Sequence, residues 1–168
     1  MRSPPIIAHL RSFVLPLTAA VIVPAVLVER AGWPPSFAAT GPLRLAAGTL
    51  LIGAGLIMLA WTVSLFVRVG RGTLAPWDPT RRLVVLGPYA HLRNPMISGV
   101  LGIIVGEAVA LGGWRLATWA AAFFLINHVY FVLSEEPGLA ERFGAEYEIY
   151  KRHVPRWIPR LRPWQPSP

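Results

Sequence analysis

The stretch with the most chemical potential is GPYAHLRNPMISG, residues 87–99, which sets polar side chains between two prolines. Pro88 and Pro95 restrict the backbone on either side, so this segment is held in one shape. A helix beginning near Pro95 directs free backbone N–H groups and a positive dipole end towards an anion. Arg93 adds a bidentate donor for the same anion. The stretch therefore predicts a site for a carboxylate.

A second polar patch, Glu135-Glu136, follows an apolar segment later in the chain. Carboxylates accept hydrogen bonds from hydroxyl groups or from an ammonium group. Tyr89 and His91 of the first stretch offer flat faces for an aromatic ring. The two patches together predict a zwitterionic or cationic ligand, and their contacts suit S-adenosylmethionine.

Long apolar segments must position these patches, because 54% of the residues are hydrophobic and the mean hydropathy is +0.51. These values exceed those of an ordinary soluble domain. We predict an all-α fold, a polytopic membrane bundle of about four transmembrane helices plus a C-terminal amphipathic helix, in one domain over residues 1–168. The predicted spans lie near residues 13–28, 45–67, 96–111 and 116–133. A cleavable signal peptide is the alternative for the first span, but no small-residue cleavage site follows it.

The third and fourth spans are joined only by GGWR, so we expect an antiparallel hairpin whose ends are neighbours. This hairpin brings Arg93 and Asn94 towards the pair Glu135-Glu136. Small residues in the third span, at positions 99, 102 and 106, are typical of close helix packing. The geometry of the hairpin therefore joins the two polar patches into one site.

Nearly all arginines fall on one side of a four-span arrangement. The positive-inside rule then places both termini and the long middle loop in the cytoplasm of a multi-pass protein. The Arg-rich, Lys-poor composition favours a bacterial inner membrane. Hydrophobic residues at three- and four-residue spacing predict an amphipathic helix over 137–153. The tail 154–168 is expected to lie at the membrane interface through Trp157 and Trp164.

GPYAHLRNPMISG followed by EEPGLAERFGAEYEIYKRHVPRWIP resembles the shared region of the isoprenylcysteine carboxyl methyltransferases and related membrane methyltransferases, including phospholipid N-methyltransferases. Their signature reads G-P-Y-x-x-x-R-H-P-x-Y-x-G, then a Glu-Glu pair, Phe-Gly, two tyrosines and V-P-R-x-x-P. The match covers residues 87–159, with a gap through the third and fourth spans. The resemblance implies a small helical membrane enzyme that binds S-adenosylmethionine on the cytoplasmic side and takes a lipophilic acceptor from the bilayer.

The resemblance and the chemistry of the two patches together suggest site residues. The candidate cofactor-binding residues are Tyr89, His91, Arg93, Asn94, Pro95, Met96, Gly99, Glu135 and Glu136. Arg93 and Glu136 are also the candidate catalytic residues, Arg93 to hold a carboxylate and Glu136 to act as base towards an ammonium or thiol acceptor. Asn127, His128 and Tyr147 are candidates for a substrate pocket. No metal site is predicted.

Two positions depart from the family signature: Asn94 stands where the family has histidine, and Ile97 where it has tyrosine. Asparagine replaces one hydrogen bond of a histidine but cannot donate a proton at neutral pH. The departures therefore bear on acid–base chemistry and on the substrate. Inside the spans, Glu107, Asn127 and His128 indicate either function or interhelical hydrogen bonds.

The charge, the cysteine content and the glycine turn of the chain bear on other possible functions. The charge of +8 does not follow one face and no nucleic-acid-binding signature accompanies it, so no nucleic-acid partner is predicted. The chain has no cysteine, which excludes thiolate sites. No strand precedes the Gly70-Arg71-Gly72 turn, so a doubly wound cofactor domain is not expected. An NADPH-dependent reductase resembling the sterol reductases and a non-catalytic membrane scaffold stay open, as does the acceptor group, a carboxylate, an amine or a thiol.

Overall fold

The computed structural model describes residues 14–30, 41–65, 68–69 and 82–165. These residues form helices and loops without any β-strand, which confirms the all-α class for the part described. The helices are α1 Val14–Glu29, α2 Pro42–Leu65, α3 Pro95–Leu111, α4 Trp114–Phe143 and α5 Ala145–His153, and a single 3₁₀ turn covers Gly87–Ala90. Outside the described residues lie the basic N-terminal residues, the first residue of the first predicted span, the last two of the second, positions 70–81 of the middle loop and positions 166–168 of the predicted tail.

Two of these helices, α2 and α4, are long and apolar enough to cross a membrane. Only 11% and 22% of their most apolar stretches are buried inside the chain, so water would meet broad apolar surfaces. The other apolar helices, α1 and α3, are shorter. At 1.5 Å per residue, α3 covers roughly 25 Å of a hydrocarbon core about 30 Å thick. The prediction of four crossings is therefore not confirmed beyond α2 and α4.

Helices α2 and α3 pack along each other more extensively than any other described pair. Their backbones touch at two points, where Gly55 meets Gly99 and Gly48 meets Gly106. A Cβ atom on Gly55 would lie 2.5 Å from the Gly99 carbonyl oxygen, and one on Gly106 would lie 2.7 Å from that of Gly48. Only glycine permits this approach, and the small-residue packing predicted for the third span is found against α2.

The predicted α3–α4 hairpin is present. Its turn consists of Gly112 and Gly113, whose φ angles of +71° and +111° favour glycine. A third layer comes from α1: Ala20 joins a core with residues of α3 and α4, and Trp119 Nε1 donates to the Ala19 carbonyl at 2.9 Å. The hairpin sets the start of α3 beside the last turns of α4.

The last part of the chain differs in detail from the expected pattern. Helix α4 does not stop near residue 133 but continues to Phe143 through a wide π-helical turn at Phe131–Glu135. The expected helix 137–153 is divided at Gly144, whose φ is +52°, so α5 leaves in a new direction. The described tail is not helical, and its tryptophans pack on the protein: Trp157 against Phe124 of α4, and Trp164 against Tyr150 of α5.

Candidate functional site

A buried ionic cluster joins the start of α3, the last turns of α4, α5 and the tail. Arg93 Nη1 donates to Oε1 of Glu136 at 2.7 Å, and Arg156 Nε donates to the same oxygen at 2.6 Å. Lys151 Nζ lies 3.7 Å from Oε2. The hairpin therefore brings Arg93 to Glu136 across 43 residues of sequence, and we call these four residues the charged cluster.

The charged cluster carries three cations for one buried carboxylate. Glu136 is 6% exposed, and a carboxylate removed from water is stable only when cations and hydrogen bonds compensate it. Arg156 and Arg93 together exceed that requirement, so positive charge is left over at the cluster. The arrangement favours a further anion beside Arg93.

Tyr147 is a buried neighbour of the charged cluster. Its side chain is 1% exposed and packs with Tyr150 and Val154 in a second core under the 87–94 loop. Burial raises the pKa of Tyr147 to about 12, the neighbouring Glu136 acts in the same direction, and Arg93 opposes both. Tyr147 is therefore a neutral, tightly packed wall of the cluster at physiological pH.

The tail holds the 87–94 loop by its backbone. Three backbone hydrogen bonds connect them: Arg93 N to Pro155 O at 2.9 Å, Arg160 N to His91 O at 3.0 Å, and Trp164 N to Ala90 O at 2.9 Å. From α5, the Tyr150 hydroxyl also donates to Tyr89 O at 2.8 Å. The described part of the tail has no helix or strand of its own, so its backbone groups form hydrogen bonds with this loop. Buried peptide groups need such partners. The loop is thus fixed from two sides, by α3 and by the tail.

Two side-chain donors next to the cluster are buried without a partner, Arg93 Nε and Asn94 Nδ2. Asn94 stands immediately before α3, where its carbonyl accepts from the Ser98 N–H and hydroxyl, yet its side chain caps nothing. Unsatisfied buried donors cost free energy, so they indicate a ligand acceptor. A carboxylate at the start of α3 would satisfy both.

Glu135 lies half-buried beside Tyr89, whose pKa is raised by burial, by Tyr150 and by the Glu135 charge. Its carboxylate is suited to hydroxyl or ammonium donors. Together with the orphan donors of Arg93 and Asn94, this donor and acceptor set fits the carboxylate, the ammonium and the ribose of S-adenosylmethionine. The residues present are therefore compatible with that cofactor.

On the other side of the same loop lies a cavity of about 310 Å³. Its walls are mostly apolar and include Trp61 of α2, Leu86, Ala90 and Trp164, and His91 lies among them. Gly87, with φ +59°, lets the loop turn against α2, because a Cβ there would lie 3.0 Å from a methyl group of Leu65. This cavity does not include the residues of the charged cluster, so the loop separates two different environments.

Several predicted site residues lie elsewhere. Gly99 packs against α2, because a Cβ there would lie 2.9 Å from the Gly55 carbonyl oxygen. Asn127 Nδ2 donates to the Phe123 carbonyl of its own helix at 2.8 Å. His128 Nδ1 accepts from Trp157 Nε1 at 3.0 Å, which indicates a structural contact. Glu107 has a buried oxygen without a partner in α3, apart from the cluster.

The remaining predicted residues line the loop or its edge. Pro95 is buried at the first position of α3 and Met96 follows it, half-buried. Sequence reasoning missed Arg156 and Lys151, the two other cations around Glu136. The V-P-R-x-x-P block contained the signal for Arg156, but a basic tail was read only as a topology marker.

Comparison with known proteins gives one family. The sequence profile of the phospholipid methyltransferase family matches residues 43–146, more than half of the chain. This range contains α2, the 87–94 loop, α3 and α4, and it ends in the first turn of α5. No curated protein and no solved structure gives a significant match.

Proposed function

The chain belongs to the phospholipid methyltransferase family, and from this premise we propose that it transfers a methyl group from S-adenosylmethionine to a lipophilic acceptor at the cytoplasmic face of a membrane. In the proposed topology the protein is multi-pass with both termini in the cytoplasm. The charged cluster then lies at the inner surface, where a polar cofactor and a lipid can meet.

The observation that carries the proposal is the charged cluster with its orphan donors. Arg93 is paired with Glu136 but keeps a buried Nε without a partner, and Asn94 offers a second such donor. Both lie at the start of α3, where the helix dipole favours an anion. We assign this place to the carboxylate of the cofactor.

S-adenosylmethionine supplies a methyl group activated by a sulfonium centre. The chain contributes position: Arg93 holds a carboxylate, Asn94 adds one donor, and Glu135 accepts from hydroxyl or ammonium groups. Glu136, which accepts from two guanidinium groups, is better suited to orienting Arg93 than to removing a proton. Most of the acceleration would come from orientation and from a dry site.

The acceptor reaches the site from the bilayer. Helix α2 presents an apolar surface outside the protein, with Leu50, Ile57 and Trp61 more than half exposed. Such a surface suits lipid chains, and Trp61 also lines the cavity beside the loop. A lipophilic carboxylate, amine or thiol is therefore the proposed substrate class.

Calorimetry with S-adenosylhomocysteine tests the cofactor assignment. Charge-assisted hydrogen bonds are worth about 1.5–3 kcal/mol, so Arg93→Ala is expected to weaken binding by roughly 10- to 100-fold. Arg152→Ala is the matched control, since Arg152 is exposed on α5. Undetectable binding by the native protein, or equal binding by both variants, would contradict the assignment.

A labelled methyl-transfer screen tests the reaction itself. Purified protein in bicelles is incubated with labelled S-adenosylmethionine and with lipids that carry a carboxylate, an amine or a thiol. Transfer to at least one class is expected, and its loss in Arg93→Ala but not in Arg152→Ala would connect the activity to the cluster. The melting temperature of the protein is measured separately with NADPH and with S-adenosylhomocysteine. Stabilisation by NADPH alone would favour a reductase.

A further inference from the structure

The tail carries two apolar side chains that are almost fully exposed. Leu161 is 98% exposed and Ile158 is 79% exposed. Among the described residues, the other large hydrophobic side chains that are more than 70% exposed all belong to α2 or α4, the helices able to cross a membrane. They are Leu43, Leu50, Trp114 and Leu133. In exposure, the tail therefore resembles the surfaces that a bilayer would cover.

The backbone that presents these side chains is tied to the 87–94 loop. Arg160 N donates to the His91 carbonyl at 3.0 Å, and the Arg160 carbonyl accepts from His91 Nδ1 at 2.7 Å. Trp164 N donates to the Ala90 carbonyl at 2.9 Å. Leu161 lies between these two points of attachment. Turning Leu161 inward would therefore break hydrogen bonds with the loop.

The tryptophans of the tail already pack on the protein. Trp157 packs against α4, and Trp164 packs against α5. A single exposed leucine is ordinary on a soluble surface. Here two neighbouring apolar side chains point away from a backbone whose tryptophans point inward. Ile158 and Leu161 are therefore available to another environment.

Arginines stand on both sides of Leu161. Arg162 is exposed, and Arg160 directs its guanidinium to the His153 carbonyl at 3.0 Å. Within the described residues no carboxylate pairs with either arginine, because the ion pairs found there all involve Glu136. Guanidinium groups bind phosphate oxygens through two parallel hydrogen bonds. The segment thus combines exposed apolar side chains with uncompensated positive charge.

The same segment adjoins one end of the apolar face of α2. Pro163 and Trp164 line the same cavity as Trp61 and Leu86, which are both about half exposed. Trp61 lies close to the end of α2 at Leu65. Tryptophan is typical of the boundary between hydrocarbon and headgroups. The tail is therefore placed where the surface of α2 would leave the hydrocarbon core.

We propose that residues 158–162 form a docking segment for the anionic phospholipids of the membrane that α2 crosses. Ile158 and Leu161 enter the boundary between headgroups and acyl chains, and Arg160 and Arg162 bind lipid phosphates. A zwitterionic headgroup attracts the segment less, because its own ammonium group compensates the phosphate. A second copy of the chain is a poorer occupant, because it would bring the same arginines against these.

This surface lies outside the proposed cofactor site, and its role does not require methyl transfer. Each arginine near an anionic membrane surface strengthens binding by about fivefold. Because the docking segment is bonded to the 87–94 loop, docking also fixes the height of that loop at the membrane surface.

Fluorescence quenching in nanodiscs tests the depth of the docking segment. The chain has no cysteine, so Ile158→Cys creates a single site for a bimane label. A lipid with a nitroxide near its glycerol should quench this label more than a lipid with a nitroxide at the end of its acyl chain. Glu146→Cys, at an exposed position on α5, is the matched control and should be quenched by neither lipid. Equal quenching of the two labels would overturn the proposal.

The lipid composition tests the role of the arginines. Quenching of the Ile158→Cys label should rise as phosphatidylglycerol replaces phosphatidylcholine, and at about 1 M salt, where the Debye length is about 3 Å, most of the rise should disappear. Adding Arg162→Gln should weaken docking about fivefold. Arg115→Gln, at an exposed position where α4 begins, should keep the native response. Quenching that is indifferent to phosphatidylglycerol, or equally affected by both arginine variants, would rule out recognition of anionic lipid.

Leu161→Gln separates docking from folding. The side chain is almost fully exposed, so the unfolding temperature in detergent should stay native while quenching of the Ile158→Cys label falls. A lower unfolding temperature would show that Leu161 supports the fold instead, and the proposal would fail. Shielding of the label only in nanodiscs that hold two copies would assign the surface to a second copy and would equally overturn it.

Discussion

The two sides of the 87–94 loop differ in how their polar groups are satisfied. On the charged side, Arg93 and Arg156 both donate to the Glu136 carboxylate, at 2.7 and 2.6 Å. On the cavity side, His91 bonds through Nδ1 to the Arg160 carbonyl of the tail, at 2.7 Å. The same eight residues of backbone therefore lie between an ionic cluster with two unpartnered buried donors beside it, Arg93 Nε and Asn94 Nδ2, and a mostly apolar cavity that His91 lines.

This difference indicates a division of labour. Groups that are already paired hold geometry well but are poor proton acceptors, because their partners fix their charge. The cavity, by contrast, has no lysine, arginine, aspartate or glutamate among the described residues that line it. The paired groups of the charged side are therefore suited to the role that the proposed function gives them, which is to hold the cofactor's carboxylate.

The largest expected effect comes from breaking the charged side with Glu136→Gln. The carboxylate is buried between two guanidinium groups, and removing one partner of a buried ion pair costs about 3–5 kcal/mol. We expect the thermal unfolding temperature in detergent to fall sharply. Glu146→Gln, at an exposed position in the first turn of α5, is the control. Equal stability of the two variants would mean that the cluster contributes nothing net.

Much of this cluster could be predicted from the sequence, for a simple physical reason. A four-residue link between two apolar segments leaves only an antiparallel hairpin, so the ends that carry Arg93 and Glu136 must meet. The helix boundaries were less certain, because α4 continues through Glu136 and the break comes at Gly144. The spacing of apolar residues could not show that α4 continues through the polar residues after its apolar stretch.

The cavity side could not be predicted in this way. The contacts that define it run between a proline-rich tail and a loop, as in the His91 bond to Arg160. Such backbone contacts leave no periodic pattern in the sequence. The tautomer of His91, which decides its chemistry, follows only from the three-dimensional position of that carbonyl. The cavity beside the loop is therefore a finding of the structure.

A second prediction tests the charged side through pH. Burial raises the pKa of Tyr147 to about 12, above the value near 10 of an unfolded tyrosine. The folded state thus keeps its proton while the unfolded state loses one, and stability falls as pH rises from about 10 to about 12. The two-unit difference corresponds to roughly 3 kcal/mol. Burial also raises the pKa of Tyr89 and of Tyr150. The Tyr147 contribution is therefore the difference between the losses of the native protein and of Tyr147→Phe, from unfolding free energies measured below pH 10 and near pH 12.

Tyr147→Phe should remove the part of the alkaline loss that Tyr147 contributes. The variant has no hydroxyl to ionise at that position, so its stability should fall less over the same pH range. Tyr130→Phe, which changes a tyrosine 41% exposed on α4, is the matched control and should follow the native curve. If unfolding free energy depends on pH in the same way for Tyr147→Phe and the native protein, the buried Tyr147 hydroxyl does not cause the alkaline loss of stability.

The smallest effect belongs to the cavity side and should leave the charged side intact. Gly87→Ala puts a Cβ at a φ of +59° and 3.0 Å from a Leu65 methyl group. A left-handed alanine costs about 1–2 kcal/mol. Gly53→Ala, in α2 with open space around its Cβ, should instead gain up to about 1 kcal/mol. Gly87→Ala should also raise KM for the acceptor while S-adenosylhomocysteine affinity stays native. Equal losses of acceptor and cofactor binding would show that the loop does not divide the site into two independent sides.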